Sequence, residues 1–101
     1  MASQRGQAAH RLRIPDRVAE LLRGLHPQLK QKIRTAFEQL TRHPYDGKGL
    51  RQELKGLWSY RVGRFRIVYR ITEGRQLEIV AVGARERIYE ETYRLLRRES
   101  R

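Results

Sequence analysis

The chain contains no cysteine, so neither a disulfide framework nor thiolate ligation of a metal is available to it. It has no apolar run that approaches the length of a membrane-spanning helix, and no hydrophobic segment of a secretory signal follows its start. We therefore expect a cytoplasmic protein with no membrane partner, and the absence of cysteine fits that reducing compartment. At 101 residues, the chain is large enough for one hydrophobic core and too short for two.

The residue patterns of several common catalytic sites are also missing. The three histidines, His10, His26 and His43, do not have the spacing of metal ligands, and the acidic residues are scattered rather than paired. Segment 47–49 is too short for a phosphate-binding glycine loop and has no hydroxyl residue after it. Nothing in the pattern supports a serine-based triad. We expect no metal and no cofactor, which argues against a metal-dependent nuclease.

Positive charge is what the chain has in excess. Its 23 lysines and arginines outnumber 11 acidic residues, which gives a formal net charge of +12, and nineteen of the 23 are arginine. Such a charge favours polyanionic partners, namely RNA, DNA, the ribosome or a very acidic protein. Arginine also presents a planar fork of donors that matches a phosphate group.

The segment 54–70 predicts a β-hairpin whose two faces have opposite chemistry. Gly63 and Arg64 form its two-residue turn, where glycine supplies the positive φ that a tight turn needs. Because side chains alternate along a strand, one face is apolar and should face the core; it consists of Trp58, Tyr60, Val62, Phe65, Ile67 and Tyr69. The hairpin arginines share the other face; they are Arg61, Arg66 and Arg70. Arg61 lies opposite Arg66, and this repulsive pair indicates an anionic partner, although a solvated face of a very basic protein is the simpler alternative.

The N-terminal part of the chain predicts one strand and two helices. Residues 1–8 are small, polar and unpatterned, so we expect a flexible terminus followed by a single domain over residues 9–98. A short strand within residues 9–14 precedes two amphipathic helices, which open near Pro15 and Pro27 and form an αα-hairpin. Their apolar stripes are Val18, Leu21, Leu22 and Leu25, then Leu29, Ile33, Ala36, Phe37 and Leu40. Turn residues over 43–49 predict a loop.

The C-terminal part predicts another strand over residues 76–83 and a helix over residues 85–98. The register that keeps the core face apolar pairs Ile71 with Leu77, Arg70 with Glu78, Tyr69 with Ile79 and Ile67 with Ala81. The element order predicts an α+β fold with a three- to four-stranded antiparallel sheet, mixed at the N-terminal strand, an αα-hairpin packed on one face and a C-terminal helix. The single-sided aromatic pattern favours helices on one face only.

Arginines and a tyrosine are the remaining candidates for chemistry. Arg85 and Arg87 follow the last strand, and Tyr89 shares a face with Arg85 if the helix has begun there. RNA cleavage without a metal needs few groups, since the ribose 2′-hydroxyl is the nucleophile and fixed guanidinium groups can stabilise the charge that develops on the phosphate. A tyrosine can stack on a base or move a proton. A packed aromatic on the helix is the structural alternative for Tyr89.

Two segments resemble the RelE/ParE superfamily of toxin proteins. The hairpin over residues 54–69 is similar to the hairpin of that family, and residues 80–89 are similar to its final strand with the Gly-x-Arg-x-x-x-Tyr segment that follows. The resemblance extends over residues 14–96 and implies a toxin of a type II toxin-antitoxin pair. RelE-like members cleave mRNA in the ribosomal decoding site without metal and leave a 2′,3′-cyclic phosphate. The resemblance also implies an acidic, RelB-like antitoxin that forms a hetero-oligomer with the toxin.

The resemblance implies a role for each basic residue of the site. Arg66 matches an arginine at the scissile phosphate, Arg85 one that stabilises the transition state, and Tyr89 an aromatic that stacks on or deprotonates the substrate. Arg61 matches a basic residue that holds the RNA backbone, and beyond the resemblance we also assign RNA binding to Arg64, Arg70 and Arg87. Ser59 stands where some members carry a lysine or arginine, and Ala84 where many carry a histidine or lysine; a lost acid or base would slow cleavage by ~10²-fold. The alternatives are a ParE-like inhibitor of DNA gyrase and a catalytically impaired module that binds RNA or the ribosome.

Overall fold

A computed structural model describes residues 9–99, so the terminus predicted at residues 1–8 lies outside the described residues. The elements in chain order are β1 (Arg11–Arg13), α1 (Asp16–Arg23), α2 (Pro27–Arg42), β2 (Lys48–Gly49), β3 (Trp58–Val62), β4 (Phe65–Thr72), β5 (Gln76–Ala84) and α3 (Ile88–Glu99). The strands form a five-stranded sheet in the order β1-β5-β4-β3-β2, in which β1 is parallel to β5 and the other pairs are antiparallel. The predicted α+β class and mixed N-terminal strand are confirmed.

The helices α1 and α2 cover one face of the sheet. Proline opens α2 at its first position, and the side chain of His26 caps the helix by accepting a hydrogen bond from the backbone N–H of Gln28. The core beneath contains Ile33, Phe37 and Leu40 of α2, packed against apolar side chains of β4 and β5. Leu21 of the predicted stripe is 43% exposed, because the buried side of this short helix is formed by Val18 and Leu22.

The hairpin of β3 and β4 has the predicted register throughout, including the opposed pair of Arg61 and Arg66. The predicted partners of β5 are confirmed at Leu77, Glu78 and Ile79. The predicted pairing of Ile67 with Ala81 is wrong, because a β-bulge leaves Val80 without a partner and places Ile67 opposite Val82. The Arg17 side chain donates a hydrogen bond to the carbonyl oxygen of Val80, so α1 ties down the bulge.

The helix α3 lies on the opposite face of the sheet, so the expectation of helices on one face only is wrong. It covers a second buried cluster, which consists of Leu57, Val68, Val80 and Ile88. The physical reason is the apolar strip between the arginines: Val68 and Val80 form it by strand alternation, and the bulge turns Ala81 to the same side. The helix begins at Ile88 rather than at Arg85. Within residues 9–99, no helix is long and apolar enough to span a membrane.

The loop after α2 is fastened to the sheet by Tyr69. This side chain is fully buried, and its hydroxyl donates to the carbonyl oxygen of Pro44 at 2.7 Å and accepts from the backbone N–H of Gly47 at 3.1 Å. The next two residues form β2, which pairs with Trp58 and Ser59 at the start of β3. The sequence predicts only a loop there, so the fifth strand is an addition to the predicted sheet.

Alkaline pH is expected to weaken this attachment. Burial raises the pKa of Tyr69 from 10.0 to about 12, so its contribution to stability is complete below pH 10 and is lost as the pH rises towards 12. We expect the difference in unfolding free energy between the parent and Tyr69→Phe to stay constant up to about pH 9 and then to shrink. Urea unfolding at several pH values measures it, and a difference that does not change with pH contradicts the prediction.

Candidate nucleic-acid interface

Ser59 is the point on the α3 face of the sheet at which two candidate catalytic side chains meet. It lies on β3 and is only 1% exposed. Its Oγ accepts a hydrogen bond from Arg66 Nη1 at 3.0 Å and another from the Tyr89 hydroxyl at 3.1 Å. Arg66 is on the neighbouring strand β4, and Tyr89 is in the first turn of α3. The hydroxyl thus fixes a guanidinium and a phenol side by side, and both residues are half-buried.

Arg85 lies next to this contact, in the turn between β5 and α3. Its backbone N–H donates to the carbonyl oxygen of Arg64 at 2.8 Å, which attaches the turn to the hairpin. Gly83, two residues earlier, is directly opposite Arg66. The Arg85 side chain is exposed and has no ion-pair partner among residues 9–99. The expected helical relation between Arg85 and Tyr89 is wrong because α3 begins only at Ile88, so the strand end rather than a shared helix face places Arg85.

The other predicted RNA-binding arginines differ in their surroundings. Arg61 and Arg64 are exposed near the hairpin turn, where Arg61 Nε donates to the carbonyl oxygen of Gly63 at 3.2 Å. Arg87 is exposed in the turn before α3. Arg70, by contrast, lies four residues along β4 from Arg66, roughly 13 Å away at the usual rise of a strand.

The charge of Arg70 is already compensated. Arg70 Nε lies 2.8 Å from a carboxylate oxygen of Glu78, the cross-strand partner that the register predicts. The other carboxylate oxygen lies 3.6 Å from Arg13 Nε. The structure therefore does not bring Arg70 to the contact at Ser59, and its ion pair makes it the weakest of the predicted RNA-binding residues.

Two basic residues that the sequence analysis did not select line a groove beside Tyr89. The groove is open, has a volume of about 480 Å³ and is lined by Lys48, Gly49, Leu50, Arg51 and Tyr89. Lys48 is the cross-strand partner of Ser59, so the groove adjoins the contact at Ser59 directly. The sequence signal for these two residues is a lysine between two glycines, with an arginine two residues after the second glycine. The glycine segment does not fit a phosphate-binding loop, so the pattern alone does not mark a site. A strand of two residues is too short to show the alternation from which a strand and its exposed face are predicted.

The site contains donors for phosphate and no acidic cluster. Residues 9–99 include no group of three or more histidine, aspartate or glutamate side chains that could hold a metal ion. Arg66 shares Ser59 with the phenol of Tyr89, Lys48 and Arg51 line the groove beside it, and Arg85 follows the strand end next to the hairpin. Such an arrangement can bind the backbone of a single nucleic-acid strand and offer an aromatic ring to a base.

Comparison with known proteins shows the family of this chain. Residues 5–89 match the family model described as the ParE toxin of the type II toxin-antitoxin system, parDE. The toxin-antitoxin complex RelBE2 from Mycobacterium tuberculosis contains a chain with 32% identity and a TM-score of 0.68, which aligns with 77% of this chain and 100% of its own length. No curated protein sequence is matched.

More distant structures share the fold. The isolated RelE toxin of E. coli has 17% identity and a TM-score of 0.66 over 87% of this chain and 99% of its own. The archaeal RelE–RelB complex from Pyrococcus horikoshii OT3 contains a chain with 18% identity and a TM-score of 0.65 over 78% of this chain and 98% of its own. This chain thus shares its α+β fold with these RelE toxins. The chain belongs to the RelE/ParE family of type II toxin-antitoxin toxins.

Proposed function

We propose that this toxin inhibits translation by cutting mRNA on the ribosome without a metal ion. The observation that carries the proposal is the convergence of Arg66 and Tyr89 on Ser59, with the unpaired guanidinium of Arg85 at the adjoining strand end. A protein that only binds another protein has no need for a buried hydroxyl that orients an arginine and a tyrosine towards the same open surface.

The proposed reaction uses the substrate's own nucleophile. The ribose 2′-oxygen attacks the adjacent phosphorus as its proton passes to a base, either water or Tyr89 in its phenolate form. The bond from phosphorus to the 5′-oxygen breaks and that oxygen takes a proton from water, which leaves a 2′,3′-cyclic phosphate and a free 5′-hydroxyl. Arg66 and Arg85 bind the phosphate oxygens, on which negative charge grows in the transition state. Tyr89 stacks on a neighbouring base or accepts the proton of the 2′-hydroxyl. Ser59 positions Arg66 and Tyr89 and does not touch the substrate.

The proposed partner in the resting cell is an acidic antitoxin. The structures from M. tuberculosis and P. horikoshii described above are complexes of toxins with antitoxins. An acidic segment laid over this surface would neutralise part of the net charge of +12 and block access of RNA to Arg66 and Arg85. A hetero-oligomer held in this way would release an active enzyme when the antitoxin dissociates.

Cell-free translation followed by primer extension on the message tests the proposal. We expect cuts at codon-spaced positions with the parent and a loss of about 10²- to 10³-fold in cleavage rate with Arg85→Ala, because one donor to the transition state is removed. Arg34→Ala is the matched control, since Arg34 is an exposed arginine on α2 and its loss changes the net charge equally. A message that stays intact at high concentrations of the parent protein contradicts the proposed function.

The match to the ParE toxin family favours inhibition of DNA gyrase as the second candidate. A supercoiling assay with purified gyrase distinguishes the two functions: blocked supercoiling together with intact mRNA supports inhibition of gyrase.

A third outcome separates binding from cleavage. If Arg85→Ala inhibits translation as strongly as the parent, the protein is a ribosome-binding module in which Ser59 and Ala84 have replaced catalytic groups.

A further inference from the structure

We propose that the groove between β2 and Tyr89 is a second phosphate-binding site, in which Lys48 and Arg51 hold the RNA backbone next to the phosphate that is cut. This inference rests on the proposed function, since it extends the same RNA strand beyond Arg66. The groove volume of about 480 Å³ lies within the range of sites that hold small ligands, and one nucleotide unit is a ligand of that size.

The charge of the groove favours an anion. Lys48 and Arg51 are exposed, and neither side chain has an ion-pair partner among residues 9–99. No acidic residue lines the groove. Arg70 and Arg13 illustrate the contrast, because both of them share the carboxylate of Glu78. The two cations of the groove are thus available to a phosphate, and the net charge of the protein attracts one.

The groove is built on fixed backbone rather than on a loose loop. The Tyr69 hydroxyl holds the carbonyl oxygen of Pro44 and the N–H of Gly47, immediately before Lys48. Strand pairing then places Lys48 opposite Ser59. Gly49 has open space where a Cβ atom would stand, so the backbone itself is accessible to a ligand at that point. The backbone of a site fixed in this way loses little conformational entropy when the site binds a ligand.

The position of the groove selects RNA over a protein segment. Tyr89 forms one wall of the groove and also donates its hydroxyl hydrogen bond to Ser59, where Arg66 is bound. A strand whose scissile phosphate lies at Arg66 therefore reaches the groove by passing over the tyrosine ring, on which a base can stack. An acidic antitoxin segment shares the negative charge but has no equivalent use for the half-buried ring, so it is tested as the competing occupant.

The test compares two double variants that each remove two positive charges, Lys48→Gln/Arg51→Gln and, as the matched control, Lys32→Gln/Arg34→Gln on α2. The probe is a single-stranded RNA with 2′-O-methyl groups throughout, which cannot be cut, and fluorescence polarisation measures its affinity at several salt concentrations. We expect the groove variant to bind about tenfold more weakly or worse, and the slope of log affinity against log salt to fall by about 1.4, since two phosphate contacts are lost. The control should change both quantities much less.

Cleavage is measured in parallel on programmed ribosomes. The proposal predicts a raised KM and a nearly unchanged kcat for the groove variant, because the lost contacts bind substrate away from the reacting atoms. Equal RNA affinity and salt slope in the two double variants overturn the groove proposal while leaving the proposed function intact. Loss of antitoxin affinity with unchanged RNA affinity also overturns it and assigns the groove to the protein partner. A parent protein that binds the RNA but never cuts a message refutes the proposed function instead.

Discussion

Replacement of Arg66 by alanine is expected to lower the rate of ribosome-dependent mRNA cleavage by about 10²- to 10³-fold. Arg66 is held by a hydrogen bond of 3.0 Å to the buried Ser59, so its guanidinium is already oriented before substrate arrives. The protein therefore does not have to rearrange in order to stabilise the negative charge that grows on the phosphate in the transition state. Single-turnover kinetics on programmed ribosomes measure the effect, and we expect it to appear in kcat rather than in KM.

Stability should not account for that loss. Arg66 lies directly opposite Arg61, and removal of either charge relieves a repulsive cross-strand pair. Arg61→Ala is therefore the matched control for stability alone, since Arg61 is itself assigned to RNA binding: it removes the same charge from the same pair but leaves the contact of Arg66 with Ser59. Arg66→Lys separates charge from geometry, because lysine cannot present two donors in a fixed plane. Parent-like kcat in Arg66→Ala, with the fold verified by thermal unfolding, would remove Arg66 from the mechanism.

The hairpin could be predicted from the sequence because two independent signals agree. The alternation of apolar and basic residues between Trp58 and Tyr69 determines which side faces the core, and the turn at Gly63 determines the register. A slip by one residue would expose every apolar side chain, so only one register is compatible with a core. The same logic correctly predicts the ion pair between Arg70 and Glu78.

The β-bulge at Val80 could not be predicted, and it changes more than one pairing. Val80 carries a β-branched side chain in a run of similar residues, so nothing local distinguishes it as the extra residue. The carbonyl oxygen of the bulge is held by Arg17, which is 63 positions away in the chain. The bulge turns Ala81 to the side of Val68 and Val80, where it packs against the cluster beneath α3, and it turns Val82 to the core. A contact between distant parts of the chain thus accompanies the change of side at Ala81.

The candidate site was only partly predictable for the same reason. The sequence predicts Arg66 and Tyr89 as site residues from their side-chain chemistry. It does not predict that Ser59, which stands in place of a basic residue, accepts a hydrogen bond from both of them. Arg70 was grouped with them by strand alternation, although its own cross-strand partner neutralises it. Lys48 was missed because β2 depends on the hydroxyl of Tyr69, which is 21 residues further along the chain.

Replacement of Gly47 by alanine is expected to lower the free energy of unfolding by about 2 to 3 kcal/mol. A Cβ atom at this position would stand 2.3 Å from the hydroxyl oxygen of Tyr69 and 2.8 Å from the carbonyl oxygen of Ser59. The ring is buried and the second neighbour is backbone, so neither can move aside without breaking hydrogen bonds. The loop would have to release the tyrosine hydroxyl, which leaves a buried polar group without its partners. Urea unfolding at pH 7 measures the change.

Gly49→Ala is the control for that experiment. Gly49 lies on the same short strand, and no heavy atom lies within 4 Å of where its Cβ would stand. Both substitutions restrict the unfolded chain equally, so the difference between the two variants isolates the close approach to Tyr69. We expect Gly49→Ala to stay within about 0.5 kcal/mol of the parent.

Adding Tyr69→Phe to Gly47→Ala should lower stability by less than the two single effects combined, because both break the same contact. If the two glycine variants unfold at the same urea concentration, Tyr69 does not hold the loop that carries Lys48, and the rigidity argued for the groove is lost with it.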